Sequence, residues 1–164
     1  MIRHALLEEL DEIMTVYDTA RQFMRKTGNP TQWGDGYPQR EVLEEDIKRK
    51  QLYVLCDGEK VRASFAFLSG PDPTYLKIYD GAWQSDEPYF AIHRVASDGT
   101  QKGFFGKCVE FCLKTSKHLR IDTHEDNVVM QHVVEKQGFS RAGIIYLANG
   151  DPRIAYELKI AEEK

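Results

Sequence analysis

The chain has 164 residues, enough for one domain with a sizeable core and short for two of ordinary size. Its 22 lysines and arginines stand against 26 aspartates and glutamates, and a net charge of −4 without a long basic block excludes a dedicated nucleic-acid binder. No apolar run approaches the roughly 20 residues that cross a bilayer, and the stretch from Met1 to Glu9 lacks the apolar core of a secretory signal; the expected setting is the cytoplasm, without a membrane partner.

Residues 2–6 suit a short first strand. A helix follows, with Leu7, Leu10, Ile13, Met14, Tyr17, Ala20 and Met24 spaced at three and four. Glu8, Glu9, Asp11 and Glu12 open it and Arg21, Arg25 and Lys26 close it, the order that complements the helix dipole; Gly28 terminates it. Turn chemistry makes 29–38 a loop. Its two aromatics, Trp33 and Tyr37, read either as a lid over the core edge or as the wall of an acceptor pocket. A second helix is expected over 40–50, then strands over 52–56 and 60–68 with Asp57-Gly58 as a two-residue hairpin turn. The second of these strands alternates poorly, which predicts burial on both faces.

Pro71, Pro73, Asp80-Gly81 and Pro88 make 69–88 irregular, with at most a short strand near 75–79. A strand over 89–97 leads through a glycine-containing turn, 98–103, into a helix to about 117. A strand over 119–123, a helix over 127–137 closed by Gly138, and strands over 139–147 and 153–158 joined around Asn149-Gly150 complete the chain. His118 and His132 read as exposed helix residues. Cys56, Cys108 and Cys112 form no CxxC pair and read as buried, reduced thiols.

The order β-α-α-β-β-β-α-β-α-β-β places an α/β fold in one domain over 1–164. The strand–helix–strand piece within 89–123 implies a right-handed parallel crossover, and the flanking hairpins are antiparallel. The sheet is therefore expected to be mixed, with helices on both faces.

Two features carry chemistry. The first is the 98–103 turn and the helix start behind it. Helix N-termini present unpaired N–H groups and a positive dipole end. Gly99, Gly103 and Gly106 keep side chains away from that backbone, and Lys102 adds charge, so a pyrophosphate is a natural ligand. The string is neither a P-loop nor GxGxxG. The second is the polar cluster from Arg120 to Asn127 at the end of a parallel strand, where open α/β sheets place ligands. A metal site from Asp122, His124 and Asp126 has no identifiable remote ligands, so none is expected.

Thr100-Gln101-Lys102-Gly103-Phe104-Phe105-Gly106 resembles the coenzyme motif of the GNAT acetyltransferase superfamily, Gln/Arg-x-x-Gly-x-Gly/Ala, through its central Gly103. Thr100 stands for the usual Gln or Arg and Phe105 for the last small residue; Gln101 and Gly106 offer a one-residue shift. Asn127, Lys136, Gly138 and Phe139 resemble the family's later N-x-x-A…K-x-G-F pattern, with Met130 at the small position. The resemblance implies a mostly antiparallel GNAT-like sheet whose central parallel strands splay to admit the pantetheine arm of acetyl-CoA. It assigns Val95, Ala96 and Ser97 to that arm and the backbone of Gln101, Lys102, Gly103, Phe104, Phe105 and Gly106 to the pyrophosphate. Asn127 would hold the arm, cap its helix, or do both.

The implied reaction is direct attack by a primary amine, on a small molecule or peptide, through a tetrahedral intermediate. His93 or His124 is the expected base, and Trp33, Tyr37, Asp122 and Glu125 are expected to line the acceptor pocket. The family often has a tyrosine acid seven residues after the asparagine, a position held here by Val134, with Tyr146 as a substitute donor. The imperfect motif keeps a second reading open, a non-catalytic acyl-CoA-binding or interaction module. A homodimer is compatible with base rates for soluble enzymes.

Overall fold

A computed structural model describes residues 1–34 and 36–161. Asp35 of the 29–38 loop and residues 162–164 of the expected domain lie outside them.

The strands are β1 (Ile2–His4), β2 (Leu52–Asp57), β3 (Lys60–Ser69), β4 (Phe90–Ser97), β5 (His118–Thr123), β6 (Ser140–Tyr146) and β7 (Pro152–Lys159). The helices are α1 (Leu10–Lys26), α2 (Arg40–Lys48), α3 (Phe104–Leu113) and α4 (Val128–Lys136). They build an α/β fold on one seven-stranded sheet of order β1-β2-β3-β4-β5-β7-β6. Every pairing is antiparallel except β4 with β5. Among the described residues no helix is long and apolar enough to cross a membrane.

Among the described residues three apolar clusters pack on the sheet, the smallest built from Tyr75, Ala91, Ile145 and Ala155. Phe104, Phe105, Cys108 and Cys112 of α3 and Val134 of α4 pack against Phe65, Ile92, Ile121 and Tyr156 on one face. Leu10, Ile13, Tyr17 and Ala20 of α1 and Leu43 of α2 pack against Leu52, Val54, Ala66 and Ala96 on the other. β3 is buried on both faces from Ala63 to Phe67, as its poor alternation predicts. The β2–β3 turn falls one residue later than expected, at Gly58-Glu59, because Asp57 pairs with Lys60 and Gly58 takes the positive φ.

The β4–β5 pair sets up the site. Only Phe90 with Leu119 and Ala91 with Arg120 are in register; beyond them the strands part. The cause lies in β4. Between the Ala66–His93 and Ser64–Ala96 pairs, β4 holds one residue more than β3, a bulge that bends the strand. Arg94 sits there at φ 51°, unusual for a residue with a Cβ. Its carbonyl accepts the Tyr17 hydroxyl of α1 at 2.6 Å, and its guanidinium forks onto buried Asp46 of α2 at 2.8 and 2.9 Å. Both helices of that face thus hold the kink.

The segment expected as a short strand at 75–79 is instead a 3-10 turn, Pro73–Tyr75, capped by Asp72, with only an isolated bridge from Tyr79 to Ile144. The proline-rich chain cannot supply a continuous ladder; side chains hold it down. Arg120 of β5 lies between the rings of Trp83 and Tyr89, 3.9 and 4.0 Å from their centroids, and donates to the Ser85 carbonyl at 2.7 Å. Fully buried Glu157 of β7 accepts the Gln84 amide at 2.6 Å, His118 Nε2 at 2.5 Å and Arg120 Nε at 3.2 Å. His118 is therefore not an exposed helix residue: it opens β5, buried, where Glu157 satisfies it. His132 is exposed on α4. Glu157→Ala would leave the buried Arg120 guanidinium and the His118 ring without their acceptor and free the segment, so it should lower unfolding stability by about 3–5 kcal/mol in urea titrations; a loss under about 1 kcal/mol would mean the cluster is screened.

Candidate active site

Where β4 and β5 part, a cleft of about 1130 Å³ opens, slightly larger than the roughly 300–1,000 Å³ of most small-molecule sites. Val95, Ala96, Ser97, Ile121 and Thr123 form its split floor; Phe104, Phe105, Met130 and Val133 wall one side. The end of α1 and the loop from Thr31 to Gly34, with Tyr37, roof it. Asp98 N–H donates to the Arg62 carbonyl at 2.9 Å, so Asp98 and Ala96 face β3. Alternation then turns the N–H and C=O of Ser97 to the open side.

The turn after β4 is braced by its own side chains. Asp98 accepts the Thr100 amide and hydroxyl at 3.0 and 2.6 Å and pairs with Arg62 at 3.2 Å, and Ser97 Oγ accepts the Gly99 amide at 3.1 Å. The amides from Gln101 to Gly106 make no hydrogen bond among the described residues; the first in α3 to do so is Lys107, to the Gly103 carbonyl at 3.2 Å. Gly103 is the N-cap at φ 69°, and a Cβ there would meet nothing within 4 Å. That is an open row of donors at a helix N-terminus, suited to an anion. Gly106 has another reason: a Cβ would press Gln137 Nε2 at 3.1 Å. Gln101, Phe104 and Phe105 line the cleft, whereas Lys102 is exposed at its margin.

At the other end stands a titratable cluster on the α1 face of the sheet. His93 Nε2 lies 2.7 Å from Asp72 Oδ2, and Nδ1 lies 3.9 Å from Asp122 Oδ2. Tyr75 OH donates to that same Asp122 oxygen at 2.6 Å, and its ring lies 5.8 Å from the imidazole. Burial, then the Asp122 charge, push the Tyr75 phenol well above its usual range, so it remains a donor. Burial would raise Asp72, but hydrogen bonds from His93 and Thr74 and the charge of the imidazole hold its carboxyl at about 2. His93, Asp72 and Asp122 all line the cleft, joined by Asn149, Asp151 and Arg153 from the β6–β7 hairpin.

Of the other expected residues, Asn127, Trp33 and Tyr37 line the cleft and His124 and Glu125 do not. His124 Nδ1 accepts the Asp126 amide at 3.0 Å and Nε2 is 3.4 Å from Thr31 Oγ1; it shapes the turn before α4 and does not line the cleft. Glu125 is exposed, its carbonyl bonded to Gln131. Asn127 caps α4 by accepting the Met130 amide at 3.0 Å, and its Nδ2 donates to Gln32 Oε1 at 3.0 Å. Trp33 packs near Tyr17, 5.7 Å between centroids, while also lining the cleft with Tyr37, whose hydroxyl accepts Arg94 Nη1 at 3.3 Å. Val134 is core, and Tyr146 is exposed against Tyr79, outside the cleft. Among the described residues no group of three or more His, Cys, Asp or Glu side chains converges on a metal position.

Three participants escaped the sequence reading. Asp72 sits in the irregular segment, with no periodicity to aim it. Gln32 accepts from Asn29, Thr123 and Asn127 and ties the roof to β5 and α4. Arg153, a charge opening the otherwise apolar run Ile154-Ala155-Tyr156, was the one legible signal.

No protein-family model and no curated protein matches this sequence. Solved structures do. A GNAT-family acetyltransferase from Streptococcus agalactiae is 31% identical over 99% of this chain and 96% of its own, with a TM-score of 0.89. A putative acetyltransferase from Staphylococcus aureus is 24% identical over 97% and 98%, TM-score 0.69. The NatC complex bound to Gag peptide and CoA shares the fold at 13% identity over 98% of each chain, TM-score 0.65.

An acid held at about 2 when folded and near 3.9 when unfolded adds stability above the higher value and loses it on acidification. Between about pH 4 and pH 2 wild-type stability should therefore fall more steeply than that of Asp72→Asn in urea titrations; parallel profiles would show that His93 does not hold this carboxylate.

Proposed function

Because the chain belongs to the GNAT acetyltransferase family, we propose that it transfers an acetyl group from acetyl-CoA to a primary amine, by direct attack through a tetrahedral intermediate. The observation that carries this reading is the conjunction of an open amide row at 101–106 with the β4–β5 gap that leads from it to His93.

Acetyl-CoA supplies the activated thioester, and the residues present fit it. The amides from Gln101 to Gly106, helped by Lys102, receive the pyrophosphate. Val95, Ala96 and Ser97 offer backbone groups at an open strand edge, which a pantetheine arm can use as a neighbouring strand would. Phe104, Phe105 and Met130 give it apolar walls. Asn127 is held by Gln32 and faces the arm from the α4 side.

An amine attacks only when neutral, so its proton must be taken. His93 takes it. With Nε2 donating to Asp72, Nδ1 is left as the acceptor, directed to the gap beside Asp122. Asp72 fixes this tautomer and steadies the positive charge the ring gains. Asp122, kept in place by Tyr75, attracts the ammonium before it is deprotonated. His124 spends Nδ1 on its own turn and has no part in proton transfer. Val134 supplies no proton to the departing thiol, which leaves as a stable thiolate. The reaction is placed on the face roofed by Trp33 and Tyr37, whose aromatic walls set acceptor shape.

Replacing His93 by alanine should lower kcat by roughly 10²- to 10⁴-fold in thiol-release assays over an amine panel, with the calorimetric Kd for CoA unchanged; a wild-type kcat would dismiss it as the base. Gly103→Glu sets bulk and negative charge in the anion row and forces a left-handed φ on a side chain. CoA binding should drop below calorimetric detection while the circular-dichroism spectrum is retained. Undiminished affinity would misplace the cradle, and tight CoA binding by wild type without thiol release from any amine would make the chain a binding module.

A further inference from the structure

Three arginines of the described chain are buried: Arg21, Arg120 and Arg153. Arg21 pairs with Asp18 and Arg120 with Glu157, while the cleft-lining Arg94 is forked onto Asp46. Arg153, 5% exposed, forms no ion pair among the described residues; it donates only to two main-chain carbonyls, of Pro152 at 2.8 Å and Gln32 at 3.1 Å. A guanidinium has five N–H donors, so three are unspent. A buried cation without a counter-ion is costly to a fold, and burial duly lowers the pKa of this one, against the raising charges of Asp122 and Asp151.

Its position is informative. β5 and β7 pair Asp122 with Ala155, and Arg153 stands two residues from Ala155 on the same strand, so it shares the sheet face of Asp122. His93 lies on that face too, paired with Ala66 in the core beneath α1. Ile154 points the other way, into the core under α3. Arg153 therefore serves the acceptor end of the cleft and not the anion row at the start of α3. That end offers a carboxylate and an imidazole for an ammonium group, with a fork-shaped cation beside them.

We propose that the acetyl acceptor is an ammonium carboxylate, an α-amino acid or a close analogue, whose carboxylate is received by Arg153 while its amine lies between His93 and Asp122. The planar fork of arginine matches two carboxylate oxygens at once, and the ligand's negative charge supplies the counter-ion that the fold withholds. This assignment rests on the acetyl-transfer reading only for the fate of the amine; recognition of the carboxylate is a binding property.

The test uses matched acceptors: free amino acids, their carboxamides, and the corresponding amines without the carboxyl carbon, assayed for thiol release and, separately, for calorimetric binding to the CoA-saturated protein. Wild type should favour the free acid by at least roughly thirtyfold in kcat/KM and in affinity. Arg153→Gln should erase that preference by raising KM for the acids at least roughly tenfold more than for the carboxamides, and Arg153→Lys should restore part of it. Carboxamides or simple amines that match the acids in wild type overturn the proposal, as does a preference that survives Arg153→Gln. If a variant does not fold, the wild-type ranking decides alone. If no amine releases thiol, the transfer reading fails, and a binding preference for the acids still upholds the role of Arg153.

Discussion

One extra residue in β4 governs this molecule. A parallel pair of strands ordinarily zips along its length, and a zipped β4–β5 pair would leave no floor for a ligand. The bulge at Arg94 prevents it by bending β4 away after two paired positions. Such a kink has a positive φ to maintain, and the chain spends two polar side chains of the flanking helices on it. The Tyr17 hydroxyl holds the Arg94 carbonyl and the Asp46 carboxylate holds its guanidinium. Because those partners come from α1, whose end roofs the cleft, and from α2 on the same face, the helical layer that packs on the sheet also sets the opening, and fold and site cannot be tuned independently.

The second constraint is the 70–89 segment. It has almost no regular structure of its own, yet it delivers Asp72 and Tyr75 to the imidazole of β4. Its order comes from beneath: Arg120 between two aromatic rings, with Glu157 shared among Arg120, His118 and a main-chain amide. The charges of that cluster are closed upon one another. At the cleft the balance differs. Asp72 is matched by His93, Asp122 is only partly matched by the Tyr75 hydroxyl, and Arg153 is unmatched. Satisfied charge lies under the segment and unsatisfied charge faces the opening, the division expected of a scaffold that supports a site.

Much of this was legible in the residues. The apolar spacing of α1, the doubly buried β3, the Gly103 turn and the strand–helix–strand crossover all follow from local rules, which is why the element order could be read directly. The motif also pointed to Val95, Ala96, Ser97 and the 101–106 backbone, and the structure sets 95–97, Gln101, Phe104 and Phe105 along the cleft; a motif marks backbone groups without requiring side-chain aim. Side-chain partnerships across long sequence distances were harder. His93 and His124 looked equivalent in the sequence, and only the arrival of Asp72 from the irregular segment and of the Asp126 amide from the next turn separates them. His118 was misread because a histidine next to a helix end looks solvated until Glu157, 39 residues later, is brought against it. Gln32 lies in a loop whose polarity is ordinary, so nothing marked it as the tie between roof and floor.

Chemistry in this chain resides in what the gap between β4 and β5 brings together: donors for an anion at one end, an imidazole between carboxylates at the other, and a strand edge in between. The most direct measurement of that arrangement is amide hydrogen exchange, followed residue by residue with and without CoA. Slowed exchange confined to Ser97 and the amides from Gln101 to Gly106 is the predicted result, since these are free donors that the coenzyme would cover. CoA binding that leaves those amides exchanging at their free rate would contradict the account.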